Sequence, residues 1–340
     1  MRYPDFLGKH GVIGFVAPSF GCATEPYKTA FTNAIDKFKH MGFGVDLGPN
    51  CFVDLGIGIS NTPQACAEEL NSSYCSEKND ILISCGGGEL MCEVIPYMDF
   101  ERLKRAKPKW YMGYSDNTNF TFLATTICDT AAIYGPCAAA FGMEPWHESL
   151  EDALELLRGN KTTFHNYAMW EKESLKDEEH PLAAYHVTET TNIINVPQGR
   201  IEMEGRLIGG CMDCLVNIVG TEFDHVKEFI GKYKEDGFIW FLESCELNVM
   251  SIRRAIWQLK HAGWFEHVKG FLIGRPLCFG EEMFGIDQYR AVTDLLKEYE
   301  VPIVMDMDIG HLAPMMPMVC GATAKVISEN NNVTVQYTWK

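Results

Sequence analysis

Apolar positions along the chain form two kinds of run, and the two alternate. Short apolar stretches at Val12–Ala17, Gly44–Leu47, Ile81–Ser84 and Trp110–Tyr114 have the length of strands whose faces are both covered by other elements. Between them, segments with the spacing of amphipathic helices occupy Glu25–Met41, Thr62–Cys75 and Met91–Lys104. Strand and helix in alternation predict a parallel α/β architecture.

The pattern loosens from about Glu151, and the stretch WEKESLKDEEHPLAAYHVTETTNIINVPQGR from Trp170 to Arg200 is polar and weakly periodic. A second α/β series follows. It predicts a strand at Arg206–Gly209, a helix near Met212–Val219, a strand at Phe238–Leu242 and a helix at Val249–Ala262. A strand at Val268–Ile273, a helix at Gln288–Tyr299, a strand at Ile303–Met307 and one or two strands within Ala324–Thr338 complete it. With 340 residues, more than the ~100–200 of a usual domain, the chain reads as two halves. Residues 1–165 form an N-terminal domain, 166–204 a connecting and substrate-side segment, and 205–340 a C-terminal domain.

Composition narrows the function. Hydrophobic residues make up 46% and charged residues 22%, as in globular chains, with no low-complexity tract. Forty-six acidic against 29 basic residues leave a net charge of −17, which repels nucleic acid and anionic lipid. The densest basic cluster, Arg102, Lys104, Arg105, Lys107 and Lys109, reads as a solvated helix face. The N-terminus lacks a signal-peptide pattern and no window reaches the ~18 apolar residues of a membrane span, so a cytoplasmic protein is expected. Thirteen cysteines scattered through apolar segments suit buried thiols in a reducing compartment and predict no disulfides.

In open α/β sheets ligands sit beyond the carboxyl ends of the strands. Three such ends carry reactive side chains: Trp110–Tyr114 runs into Ser115, GFIWFLE into Glu243, and VPIVMDMDIGH through Asp306 and Asp308 to His311. Hydroxyl, carboxylate and imidazole are the parts of a hydrolytic triad. Serine attacks only when an imidazole takes its proton, and the imidazole needs a carboxylate to set its tautomer. A strand-to-helix turn at Ser115 would also offer the Asp116 N–H to an oxyanion. Gly86, Gly87 and Gly88, after the third strand, permit close backbone approach to a substrate. Each residue has a plainer reading as well: Ser115 and Asp116 as a helix cap, Glu243 as a surface carboxylate, His311 as a satisfied loop histidine.

GYSD at Gly113–Asp116 resembles the LD-carboxypeptidase family of serine peptidases, which includes murein tetrapeptide carboxypeptidases and the microcin C immunity peptidases. So do VAPSF at Val16–Phe20, CGGGE at Cys85–Glu89, YGP at Tyr134–Pro136, GRLIGGCMDCLVNIVGT at Gly205–Thr221, FLES at Phe241–Ser244, IRRAIWQL at Ile252–Leu259 and DIGH at Asp308–His311. The resemblance implies an N-terminal parallel-sheet domain of flavodoxin-like kind, a C-terminal α/β domain and an active site in the cleft between them. It implies a Ser115–Glu243–His311 triad, an oxyanion hole from the backbone of Gly88 and Asp116, a homodimer, and neither metal nor cofactor. Two departures stand out: Gly88-Glu89, where the family loop often carries a bulky residue, and Cys211, where the family has asparagine.

The polar excursion is more like the immunity branch, which cleaves the amide between an aminoacyl or peptidyl group and a nucleotide. On that reading Trp170 is a candidate for stacking on the nucleobase. The murein branch, releasing terminal D-alanine from a cell-wall tetrapeptide, is the alternative substrate class. Other chemistries have weaker support: a metal site at Asp306, Asp308 and His311, redox work by Cys211 and Cys214, more simply two buried thiols, and a non-catalytic small-molecule binding protein. An ordinary α/β-hydrolase has the order Ser, Glu, His, but its elbow needs glycine where this chain has Asn117.

Overall fold

Five short strands, β1 (Val12–Val16), β2 (Gly44–Leu47), β3 (Ile81–Ser84), β4 (Tyr111–Gly113) and β5 (Ala132–Tyr134), form a parallel run within the six-stranded first sheet of the computed structural model, which describes residues 1–340. They pair in parallel in the order β2-β1-β3-β4-β5. Every residue of β3, β4 and β5 is buried, whereas the edge strand β2 has none fully buried. Helices α1 (Tyr27–His40) and α2 (Pro63–Tyr74) cover them. The helix α1 turns Ala30, Phe31, Ala34, Ile35 and Phe38 inward, the 3.6-residue spacing of an apolar stripe. Thr62 caps α2 by accepting the Ala65 N–H, with Pro63 in the first turn, where its missing N–H is harmless.

Met91–Lys104, expected as one helix, is two: α3 (Met91–Val94) and α4 (Phe100–Arg105). Pro96 sits in the tight turn Ile95–Tyr97 between them, and Asp99 starts α4 afresh by accepting the Arg102 N–H at 2.9 Å. The basic cluster beside it is not wholly a solvated face. Lys109 is 7% exposed, its Nζ held by the Ser73 and Ser76 carbonyls and Asn79 Oδ1. Burial lowers its pKa to about 8. Helices α5 (Thr118–Thr126) and α6 (Glu148–Leu157) complete this series.

The chain divides into two units, Met1–Lys161 with Glu173–His186, and Thr162–Lys172 with Val187–Lys340. In the second, β6 (Thr163–His165), β7 (Met169–Trp170), β8 (Glu189–Thr190) and β9 (Ile194–Val196) precede the long strand β10 (Ile201–Cys211). Helices α7 (Met212–Ile218) and α8 (Val226–Tyr233), strand β11 (Phe238–Glu243), helix α9 (Val249–His261) and strand β12 (Val268–Gly274) follow. Then come the hairpin β13 (Glu282–Met283) and β14 (Ile286–Asp287), helix α10 (Gln288–Leu296), and strands β15 (Ile303–Met307), β16 (Met318–Cys320), β17 (Thr323–Glu329) and β18 (Asn332–Thr338).

An eight-stranded sheet runs β6-β18-β17-β10-β11-β12-β15-β9. Its centre, β10-β11-β12-β15, is parallel; its flanks are antiparallel. The sequence of β10 records this: Glu202 and Glu204 are exposed between buried Ile201 and Met203, and Gly205 to Cys211 is buried throughout. Alternation gives way to a continuous apolar run where both faces become covered. No helix of the chain is long and apolar enough to cross a membrane.

Candidate active site

Ser115 follows β4 at φ +63°, in a tight turn over Ser115–Asn117 that opens α5. Non-glycine residues avoid this region, and such conformations cost roughly 1–3 kcal/mol and cluster at functional sites. The turn is braced on all sides. The Ser115 N–H donates to the Tyr134 hydroxyl at 3.1 Å. Buried Asn117 donates through Nδ2 to the Gly86 carbonyl at 2.8 Å and the Tyr114 carbonyl at 3.0 Å, and its Oδ1 accepts from the Tyr111 hydroxyl. The Asp116 carboxylate accepts from the Ser19 hydroxyl, from the Met91 N–H at 2.8 Å and from Asn119 Nδ2 at 2.9 Å.

These bonds join the ends of β1, β3 and β4 into one platform. The Phe20 N–H donates to the Gly87 carbonyl at 2.9 Å, linking the loop after β1 to the glycine loop after β3. A Cβ on Gly87 would lie 3.2 Å from Ser115 Cβ and 3.3 Å from its Oγ, so the glycine loop lies directly against the hydroxyl. Gly88 has φ +119°, and a Cβ there would fall 2.1 Å from Ser19 Oγ. Gly88 is required by its backbone and by the space it occupies, whereas a methyl at Gly87 would press on the Ser115 side chain.

Glu243 ends β11 with 1% exposure. Its Oε2 lies 2.9 Å from His311 Nδ1, and the His311 side chain is 12% exposed. Two glycines make room: a Cβ on Gly310, at φ +105°, would lie 2.3 Å from Glu243 Oε2, and one on Gly274 would lie 2.1 Å from the Ile309 carbonyl oxygen. Burial pushes the imidazole's pKa down, but the Glu243 charge and hydrogen bonds to Cys245 and Glu243 outweigh it, and the net direction is well above the ordinary value. With Nδ1 on the carboxylate, a proton exchanged by this imidazole would pass through Nε2.

The other expectations around His311 resolve differently. Asp306 and Asp308 do not share a ligand face with it. Asp306, at φ +61°, accepts from the Tyr289 hydroxyl at 2.7 Å, while Asp308 pairs with Arg275. The backbone turns out of extended conformation at Asp306, which breaks the strand alternation on which a metal reading rests. No group of three His, Cys, Asp or Glu is gathered as metal ligands. Cys211 and Cys214 are 1% and 8% exposed. A hydrogen bond to Cys214, burial and the Glu243 charge push the Cys211 thiol well up, the opposite of an activated thiol.

Trp170 is packed away. It is 4% exposed, with the Arg275 guanidinium 5.1 Å from its ring centre and Phe279 edge-on at 5.0 Å, an arrangement that speaks for packing. Several residues escape a reading of the sequence. Tyr134 and Ser19 lie inside the quoted motifs without a visible role, and Asn117 stands out only as a departure from a glycine elbow. Asp213, lost within the CxxC spacing, accepts the Cys245 N–H at 3.0 Å and the Glu246 N–H at 2.8 Å just after Glu243.

Two family models match the chain: the LD-carboxypeptidase N-terminal domain over residues 13–135 and the LD-carboxypeptidase C-terminal domain over residues 204–326. The chain belongs to the LD-carboxypeptidase family. It is a serine-type carboxypeptidase. The microcin C7 self-immunity protein MccF of Escherichia coli is 25% identical over 331 residues, covering 95% of this chain and 92% of that protein. The probable murein peptide carboxypeptidase of Bacillus subtilis (strain 168) is 22% identical over 345 residues, covering 98% and 94%. The structure of MccF in complex with glutamyl sulfamoyl guanosine superposes with a TM-score of 0.81 at 21% identity, covering 99% of this chain and 98% of that one. Members of this family thus share its fold over nearly the whole length.

Proposed function

We propose that this carboxypeptidase hydrolyses the amide of an aminoacyl- or peptidyl-nucleotide conjugate through an acyl-enzyme, with Ser115 as nucleophile, His311 as base and then acid, and Glu243 as the group that orients His311. The observation that carries the reading is Ser115 itself, a strained non-glycine residue at φ +63° on the carboxyl end of a parallel strand, with the glycine loop against its side chain. His311 Nε2 takes the Ser115 proton as Oγ attacks the carbonyl. The imidazolium formed is stabilised by the Glu243 carboxylate 2.9 Å from Nδ1. The backbone N–H groups of Gly88 and Asp116 receive the oxyanion. Collapse of the tetrahedral intermediate transfers the proton to the leaving nitrogen, and water repeats the sequence to release the acyl group.

Supporting the nucleotide branch are the MccF relative and the aminoacyl sulfamoyl nucleoside bound by MccF. The murein relative supports a second reading, release of D-alanine from a cell-wall tetrapeptide. Product release from both substrates, measured in parallel with wild type and Ser115→Ala, separates them. Turnover of the nucleotide conjugate alone is expected, lost in Ser115→Ala; turnover of the tetrapeptide alone overturns the substrate class while keeping the triad. The reading extends to a cytoplasmic homodimer, for which sedimentation of the purified protein is the test of assembly.

A further inference from the structure

The turn that carries His311 is built with features that burden the fold. Asp306 at the end of β15 has φ +61° and Gly310 has φ +105°. Between them Asp308, 0% exposed, faces the guanidinium of Arg275, 1% exposed. Isolating an ion pair from water is close to neutral at best, and replacing such pairs by apolar residues is often stabilising. Arg275 Nε moreover has no hydrogen-bond partner, a further penalty for a buried donor. Stability is therefore a poor account of why this arginine is here.

Its contacts supply a better one. Arg275 Nη1 donates to the Asp306 carbonyl at 2.7 Å while Nη2 donates to Asp308 Oδ1, and the Arg275 N–H donates to the Met307 carbonyl at 3.3 Å. One planar fork thus grips the backbone before the turn and a side chain within it, a geometry a lysine cannot reproduce. Asp308 extends the grip: its Oδ2 accepts the Tyr167 N–H at 2.7 Å and its carbonyl accepts the Met316 N–H at 2.7 Å. On the far side the Glu171 N–H donates to the Ala313 carbonyl at 2.6 Å, and the guanidinium lies over the Trp170 ring. The segment Tyr167–Glu171 and both ends of the His311 turn are fastened through Arg275 and Asp308.

We propose that Arg275 and Asp308 are positioning residues for His311: the pair clamps the turn from Asp306 to Met316 against Tyr167–Glu171 and so holds the imidazole at the angle in which Nδ1 meets Glu243 and Nε2 serves as base. Trp170 belongs to this clamp as the apolar lid over the guanidinium, shielding the pair from water. The proposal rests on His311 acting as the base. Displacing a catalytic group by about 1 Å costs up to roughly a hundredfold in rate, so the clamp acts on kcat and leaves substrate binding nearly untouched.

The test uses the full-length chain, the substrate found to turn over, and four variants: Arg275→Lys, the apolar pair Arg275→Met with Asp308→Leu, Ser115→Ala and His311→Ala. The apolar pair removes both charges of the Arg275–Asp308 pair together, leaving only Asp306, whose proton burial already favours, so it is expected to fold where a single truncation fails. For Arg275→Lys and for the folded apolar pair, kcat is expected to fall roughly tenfold to a hundredfold with KM little changed. The downfield proton resonance of the His311 Nδ1–H is expected to shift or broaden in both. Wild-type kcat and an unshifted resonance in a folded Arg275→Lys or folded apolar pair would overturn the clamp. Retained turnover in Ser115→Ala or His311→Ala would instead overturn the triad reading, whatever Arg275 does.

Discussion

Ser115 and Gly87 face each other closely enough that one methyl group decides between them. A Cβ on Gly87 would stand 3.3 Å from Ser115 Oγ, so Gly87→Ala is expected to leave the protein folded and to lower kcat about tenfold or more, read by steady-state kinetics beside a thermal melt. The imidazole carries a pH prediction. Since the Glu243 charge helps hold His311 protonated, with a pKa well above the ordinary value, the proposed role of His311 as base leads to the expectation that kcat/KM rises with pH as the imidazolium loses its proton. Glu243→Gln removes that charge and is expected to move the inflection to lower pH while cutting kcat by roughly a hundredfold or more. An inflection that stays in place would show that Glu243 does not govern His311.

Asp306 carries a stability prediction with the opposite sign to most carboxylates. Burial raises its pKa from 3.8 to about 6. The folded state binds this proton more tightly than the unfolded chain, so stability falls as pH rises from 3.8 through about 6. Above that range the ionised side chain costs about 1–3 kcal/mol. Asparagine tolerates positive φ and still accepts from Tyr289. Asp306→Asn is expected to melt higher than wild type at pH 7.5 and equally at pH 4; a variant less stable at pH 7.5 contradicts this assignment.

The Ser115 turn depends on three strand ends acting together, and Asn117 is the side chain that ties the ends of β3 and β4. Its amide reaches the Gly86 and Tyr114 carbonyls while its oxygen accepts from Tyr111. Asn117→Ala removes the acceptor of the buried Tyr111 hydroxyl and one of two donors to the Gly86 carbonyl, which keeps the Ser84 hydroxyl at 2.9 Å, at about 1–3 kcal/mol. The expected result is a lower melting temperature together with a loss of kcat, and a loss of stability alone would make Asn117 a packing residue only. The same interdependence explains which elements were legible. The strands β1, β3 and β11 are continuous apolar runs and were visible; β4, of three residues, was visible because apolar Trp110 and Tyr114 flank it, whereas β5 and β6, of three residues each, are too short for a period to register. Periodicity likewise missed the break at Pro96, because Leu90, Met91, Val94, Ile95 and Leu103 keep apolar spacing through it.

The chain passes from one unit to the other at residues 161–162, 172–173 and 186–187, so neither unit is a single continuous segment. Glu173–His186 is attached to the first unit where the Glu144 N–H donates to the Leu182 carbonyl at 2.9 Å and His147 meets Tyr185 at 5.5 Å. The second unit needs Thr162–Lys172 for its edge strand β6 beside β18 and for the Tyr167 bond to Asp308. A fragment 187–340 is therefore expected to lack the cooperative thermal transition of the full chain, measured by circular dichroism. A sharp transition in that fragment would mean the crossing segment is dispensable.

Residues in series determined much on their own. Alternating apolar runs and amphipathic segments specify α/β because the two periods arise from backbone geometry alone. The candidate hydroxyl, carboxylate and imidazole could be named because parallel sheets place reactive groups at strand carboxyl ends. Tertiary structure decided what those residues touch. The contact of His311 with Glu243, 68 positions apart, the bracing of Ser115 by Tyr134 and of Asp116 by Ser19, and the burial of Trp170 under Arg275 all join distant segments. Hydrogen bonding and desolvation act on atoms within a few ångströms, and sequence spacing carries no measure of that distance once the chain has folded back on itself.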